Sequence, residues 1–287
     1  MIFSRKQLRN EEQRYYLSAG GVVGEIVFGE SEQIEWKGRL IKDFEEIWGG
    51  GGFLLRTKPK KIDYQIEFVD EMYLGGKDGL IIRHKGRSSD VYLLLISWVS
   101  QNKIRVHYFL GVAELNALLR EIYAKLSGKK KYFLLHAATC IDENNVAYLI
   151  CAKSGGGKST TAEAMIREGW SPMGGDLLLV RRNKNGWSYE SLPLVEKELL
   201  PKKKIVNNAR VYFIEKTKVA WVKQIRDKIQ LVKKVMEQTV IESAEGKEKV
   251  SQLVIDWASG KQEAHQLGVA LGKTNFKQLM KEGENES

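Results

Sequence analysis

The residues with the most chemical content lie in one segment, Ala152-Lys153-Ser154-Gly155-Gly156-Gly157-Lys158-Ser159-Thr160. Its spacing fits the phosphate-loop pattern G-x-x-x-x-G-K-[ST] except at the first position, where Ala152 replaces glycine. Three glycines let the backbone fold back so that several N–H groups point into one concavity. Such a nest holds oxyanions. A helix starting after the loop adds its positive N-terminal end. Lys158 would reach the β- and γ-phosphates of a nucleoside triphosphate such as ATP, and the Ser159 hydroxyl would coordinate Mg²⁺. Ser154, Gly155, Gly156, Gly157, Lys158, Ser159 and Thr160 are therefore the expected nucleotide-binding residues. The plainer reading is a flexible glycine turn ahead of a lysine. The apolar run Val146 to Cys151 before the loop and the helix-forming run after it favour the phosphate loop.

Two further residues belong with this loop. Gly174-Gly175-Asp176 stands directly ahead of the apolar run Leu177 to Val180. An acidic residue at a strand edge near a phosphate loop can hold Mg²⁺, or take the proton from an attacking hydroxyl. It can also simply cap a strand start. His136 ends the apolar run Tyr132 to Leu135, and a histidine in such a run can equally be a satisfied core residue.

The elements that must position these groups follow from periodicity and turn chemistry. Tyr132 to Leu135 and Val146 to Cys151 read as strands, and Asp142-Glu143-Asn144-Asn145 between them favours a tight turn. The simplest reading is an antiparallel hairpin of these two strands, which puts His136 at the loop end of the sheet. The helix after the loop is expected to end near Gly169. Strands are expected at Leu177 to Arg181, Trp187 to Ser191 and Val211 to Ile214. A helical tail follows, with one apolar stripe at Trp221, Ile225, Ile229, Val232 and Met236 and a second at Val250, Leu253, Val254 and Trp257. Residues Glu282 to Ser287 are expected to fray.

Upstream, β-branched and aromatic residues mark strands at Gly24 to Phe28, Tyr64 to Val69, Leu80 to Arg83, Val91 to Val99 and Ile104 to Leu110. A short helix is expected over Lys42 to Trp48, and Leu115, Leu118, Leu119, Ile122 and Leu126 share one helical face. The polar run Ser127 to Lys131 suggests a boundary. It separates a β-rich N-terminal domain, residues 1–126, from a nucleotide-binding domain, residues 131–287. Leu200-Pro201-Lys202-Lys203-Lys204 reads as a solvated basic turn, Arg181 and Arg182 as solvent-facing, and Trp170, Trp187, Trp221 and Trp257 as core.

Of 287 residues, 43% are hydrophobic and 29% charged, an ordinary globular balance that argues against wholesale disorder. Two cysteines and four histidines, all scattered, suggest neither a disulfide framework nor a cysteine-based zinc site. No run reaches the roughly 20 apolar residues of a membrane span, and Met1 to Lys6 has no apolar signal core behind it. The expected location is cytoplasmic. A formal charge of +10 favours an anionic partner, although a lysine-rich surface also serves solubility.

Leu135-His136-Ala137, Ala152 to Thr160 and Gly174-Gly175-Asp176 together resemble the catalytic domain of HPr kinase/phosphorylase and related P-loop proteins. The similarity covers roughly Lys131 to Ile214 and the tail in outline. It does not extend to residues 1–126. It implies an α/β class with a mixed β-sheet P-loop domain of the type shared with phosphoenolpyruvate carboxykinase. By that resemblance Asp176, His136 and Lys158 are catalytic, Asp176 as general base, and Ser159 and Asp176 hold Mg²⁺. The family carries a paired acidic motif after its loop, and here Gly175 takes the place of the first acid. No segment matches the one that captures the HPr protein.

The activity so implied is an ATP-dependent kinase that transfers the γ-phosphoryl group to a hydroxyl of a peptide, protein or small molecule. The alternative is a nucleotide-binding or ATP-hydrolysing regulatory protein. A nucleic-acid-associated protein is less favoured, because aromatic and basic residues do not interleave. A homo-oligomer is compatible with the sequence.

Overall fold

The computed structural model describes residues 11–32, 34–69, 79–85, 91–100, 102–107, 111–195, 200–241, 244–260, 263–270 and 274–285. The chain is mixed α/β, with three sheets and six α-helices among the described residues. It divides into two units, Met1–Ile122 with Pro193–Lys202, and Tyr123–Leu192 with Lys203–Ser287. The expected signal-free start, residues 1–6, lies outside the described residues. Among the described residues no helix is long and apolar enough to cross a membrane.

In the first unit, β1 (Gln13–Ala19), β2 (Val22–Phe28), β3 (Tyr64–Val69), β4 (Gly79–Lys85), β5 (Val91–Ser100) and β6 (Lys103–His107) form one mixed sheet. Their order is β1-β2-β3-β6-β5-β4. Parallel strands need a crossover, and helix α1 (Ile34–Phe44) lies between parallel β2 and β3. A π-helical turn, Glu45–Gly49, extends it, so the helix expected from Lys42 begins earlier. Phe28 stacks on Phe68 at 4.8 Å, and Phe44 joins Phe28 to Trp48. Of the strand expected at Ile104 to Leu110, β6 holds the part up to His107, and residues 108–110 lie outside the described residues. Helix α2 (Val112–Leu126) follows.

Residues 193–202 belong to this first unit rather than to the later segment in which the sequence groups them. Hydrogen bonding gives the reason. Trp48 Nε1 donates to the Pro193 carbonyl at 2.8 Å, and the Asn116 side chain brackets the Val195 backbone, donating at 2.9 Å and accepting at 2.8 Å.

The second unit runs β7 (Tyr132–Leu135), β8 (Ala137–Ile141), β9 (Val146–Cys151), α3 (Lys158–Arg167), β10 (Ser171–Gly174), β11 (Leu178–Asn183), β12 (Gly186–Ser191), β13 (Ile205–Val206) and β14 (Asn208–Lys216). It continues with β15 (Trp221–Gln224), α4 (Lys228–Gln238), β16 (Thr239–Val240), α5 (Ala244–Ser259), β17 (Glu263–Val269) and α6 (Phe276–Asn285). One sheet is mixed, in the order β10-β8-β9-β14-β17-β15, and the other is antiparallel, in the order β13-β12-β11-β7-β16.

Two apolar layers hold the unit together. Ala147, Leu149 and Cys151 of β9 join Phe133, Leu178, Val180, Val211 and Phe213 with Leu231, Val235, Val254 and Trp257 of α4 and α5. On the opposite face of β9, Tyr148, Ile150 and Ala152 join Met165 of α3 and Phe276, Leu279 and Met280 of α6. Both faces of β9 are thus covered, which accounts for its unbroken apolar sequence.

Three expectations fail here. The hairpin partner of β9 is β8, not β7, because Ala137 pairs with Cys151 and Ile141 with Ala147. The Asp142 turn is present, with Asp142 Oδ1 accepting the Asn144 and Val146 N–H groups, but it joins β8 to β9. The tail is not purely helical. Trp221 lies on strand β15, where its indole covers Gly268 across the sheet, and a Cβ there would approach Trp221 Nε1 to 2.3 Å. Strand β17 runs parallel to β14 inside the sheet. Finally, helix α6 includes Glu282 to Asn285, where fraying was expected, while residues 286 and 287 lie outside the described residues.

Candidate functional site

The loop between β9 and α3 begins where the apolar strand ends. Ala152 is still buried in the layer beneath α3. Gly155 and Gly157 adopt positive φ, 74° and 99°, which a residue with a Cβ tolerates poorly. Gly156 has no positive φ but no room either, since a Cβ there would lie 2.7 Å from Ala152 Cβ and 2.8 Å from the Lys153 carbonyl. The Gly156 N–H closes the turn on that carbonyl at 2.9 Å. Gly157 is the N-terminal cap of α3, and its carbonyl takes the Thr161 N–H at 2.9 Å. The first-turn amides of α3 are among those a helix leaves without an internal acceptor.

Lys158 is only 8% exposed, and its Nζ donates to the Ala152 carbonyl at 3.0 Å. The ammonium is therefore held across the base of the loop. Ser154, Ser159 and Thr160 are exposed at its mouth and on the first turn of α3. Strand β14 lies parallel to β9 with Phe213 opposite Cys151, and it runs on through Lys216 where β9 has already turned into the loop. The sequence assigns Lys216 no role, and only this pairing brings it near. A Cβ built on Gly157 would lie 3.6 Å from Lys216 Cε.

His136 and Asp176 meet at a crossing of two strands between the two sheets. The chain passes from β7 in the antiparallel sheet through His136 to β8 in the mixed one. It returns from β10 through Gly175, Asp176 and Leu177 to β11. β8 pairs with β10 up to Thr139 and Gly174, and β7 pairs with β11 from Leu135 and Leu178. Both connections therefore bend at the same place, and His136 Nε2 lies 2.5 Å from Asp176 Oδ1. About a third of each side chain is exposed, 34% and 38%, so the pair is open to a reactant. The His136 N–H is anchored on the Gln238 carbonyl at 2.7 Å.

Register ties this pair to the loop. Ala137 is paired with Cys151, so His136 and Ala152 lie one residue beyond that pair, at the same end of the sheet. The hairpin expected from the sequence is wrong in its strand, yet His136 still flanks the loop. Asp176 is not at the start of β11, because Leu177 intervenes, and Gly174 belongs to β10.

Among the described residues, no group of three or more histidine, cysteine or acidic side chains could hold a metal ion. A hydroxyl and one carboxylate still suit Mg²⁺, which keeps several waters and is held largely by substrate phosphates. Elsewhere, Lys204 of the basic turn donates to the Pro172 carbonyl at 3.0 Å. Arg182 is exposed, as expected, and pairs there with Asp256, while Arg181 is half-buried. Of the four tryptophans expected in the core, Trp257 is fully buried and Trp170 nearly so, while Trp187 and Trp221 are half-buried.

Comparison of the chain with family models gives no match, and comparison with curated proteins gives none either.

Proposed function

We propose that this protein is an ATP-dependent phosphotransferase of the HPr-kinase-related type, acting on a hydroxyl acceptor. The observation that carries the reading is the 2.5 Å contact between His136 and Asp176, placed by strand register beside a glycine loop whose lysine is drawn to its base. The neighbours of β9 add support, since it runs antiparallel to β8 and parallel to β14, as a mixed-sheet P-loop domain requires.

In this mechanism the loop amides between Ser154 and Ser159, apart from that of Gly156, which closes the turn on the Lys153 carbonyl, hold the triphosphate together with the Lys158 ammonium. Mg²⁺, held by Ser159 and Asp176, would supply charge neutralisation on the phosphate oxygens. The acceptor oxygen attacks the γ-phosphorus in line, and the bond to the oxygen bridging the β-phosphate breaks. ADP leaves, and the acceptor proton passes to the Asp176 carboxylate. His136 donates its Nε2–H to Oδ1 and fixes the orientation of that carboxylate. Phosphoryl transfer depends mainly on positioning and charge stabilisation, which these groups supply. With Gly175 in place of a second acid, the reverse, phosphorolytic reaction is not part of the proposal.

The test is incubation with γ-labelled ATP and a cell extract, read for labelled acceptors. Lys158→Ala should lose nucleotide binding and transfer together. Asp176→Asn should keep ATP affinity and lose transfer by about 10²-fold or more, the scale of a general base. Unchanged turnover in Asp176→Asn removes Asp176 from the base role. Label released solely as inorganic phosphate, whatever the extract, favours an ATP-hydrolysing protein instead.

A further inference from the structure

Two lysines border the loop in this fold. Lys158 is buried and engaged with the Ala152 carbonyl. Lys216 is exposed and comes from another strand. Side chains two apart on a strand share a face. Ile214 is buried in the layer beneath α3, so Lys216, two residues on, leaves the sheet on the α3 side. Its Cε and the Ile214 Cδ1 are the atoms that a Cβ on Gly157 would meet first, at 3.6 and 4.0 Å. The intervening Glu215 belongs to the opposite face, where Gln266 Nε2 donates to it at 3.4 Å. Among the described residues, the Lys216 ammonium has no hydrogen bond or ion pair. Ligands of open α/β sheets bind beyond the carboxyl ends of the parallel strands, and Lys216 is the carboxyl-terminal residue of β14.

We infer that Lys216 is a second phosphate-binding cation, closing over the polyphosphate from the β14 side while Lys158 holds it from below. The inference rests on the nucleotide-binding reading of the loop given above. It makes the site selective for ligands with several linked phosphates. An α-phosphate alone is satisfied by the loop amides, whereas a longer tail extends past Gly157 toward Lys216. A mobile ammonium suits this role, because lysine acts on phosphate as a point charge without a fixed fork.

The test is calorimetric titration of the full chain with ATP, AMP and inorganic tripolyphosphate, at low and at moderate salt. Lys216→Met keeps an unbranched apolar stem one atom shorter and removes the charge. It should weaken ATP and tripolyphosphate by about 10-fold or more at low salt and leave AMP unchanged. Lys216→Arg should restore most of the affinity. Lys184→Met, an exposed residue between β11 and β12, controls for loss of one charge from the whole molecule. Equal ATP affinity in Lys216→Met and wild type overturns the inference, as does an equal loss in Lys184→Met. Wild-type protein that binds neither ATP nor tripolyphosphate overturns the loop reading itself, and is told apart because no variant is needed to see it.

Discussion

His136 and Asp176 owe their contact to backbone, since each occupies the bend where a strand leaves one sheet for the other. Burial sets the chemistry of other side chains. Desolvation pushes the thiols of Cys140 and Cys151 up to about 12, with the charges of Lys204 and Lys158 opposing it weakly. Both groups stay protonated at pH 8, and the thiolate is the reactive form. Native protein should therefore resist iodoacetamide at pH 8, and unfolded protein should take up label at both cysteines, as read by mass spectrometry. Rapid alkylation of the native chain at either site would contradict the packing of β8 and β9. The same burial raises the Tyr189 phenol to about 12, where it accepts the Trp257 indole N–H at 3.0 Å.

The element that matters most is the strand, loop and helix from Val146 to Arg167. Its geometry needs glycine at three successive positions for two different reasons. Gly155 and Gly157 need a left-handed backbone, and Gly156 needs space. Because the Gly156 clash involves the Lys153 backbone and the Ala152 side chain, Gly156→Ala must reshape the loop rather than turn a flexible side chain aside. We expect at least about a tenfold loss of ATP affinity, the scale of one misplaced charge-assisted hydrogen bond. The thermal midpoint should fall much less than the affinity, because Gly156 itself belongs to neither apolar layer and touches one only through Ala152. Unaltered affinity would mean that the loop amides do not shape the phosphate site.

For the second unit as a whole, stability resides in the layer where both sheets meet α4 and α5. Trp257 sits there fully buried, edge-on to Phe133 at 6.0 Å. Trp257→Ala removes that ring and the indole N–H that donates to the Tyr189 hydroxyl. The expected loss is about 3–5 kcal/mol, measured by urea unfolding. A loss under about 1 kcal/mol would show that this layer can collapse onto the gap. The first unit has a separate aromatic core at Phe28, Phe44, Trp48 and Phe68, so it should be little affected.

The amino-acid sequence by itself determined the loop, because glycine spacing, the lysine and the apolar strand before it are local features. It also determined α2 and α5, whose apolar residues recur at helical spacing, α3, from the helix-forming run between the loop and Gly169, and β3, rich in β-branched and aromatic residues. Partnership between strands was beyond its reach. Ala137-Ala138-Thr139-Cys140-Ile141 is small and weakly β-forming in composition, yet pairing with β9 on one side and β10 on the other makes it a central strand. Glu263 to Val269 is polar in part and becomes a strand because β14 and β15 flank it. Trp221 and Ile225 fell by chance at helical spacing with the true helix that follows. Asp176 and His136 were visible as candidates, but their contact, and the approach of Lys216 to Gly157, depend on register between strands distant in sequence. Register is set by which faces find a buried layer, and that is a property of the assembled sheets alone.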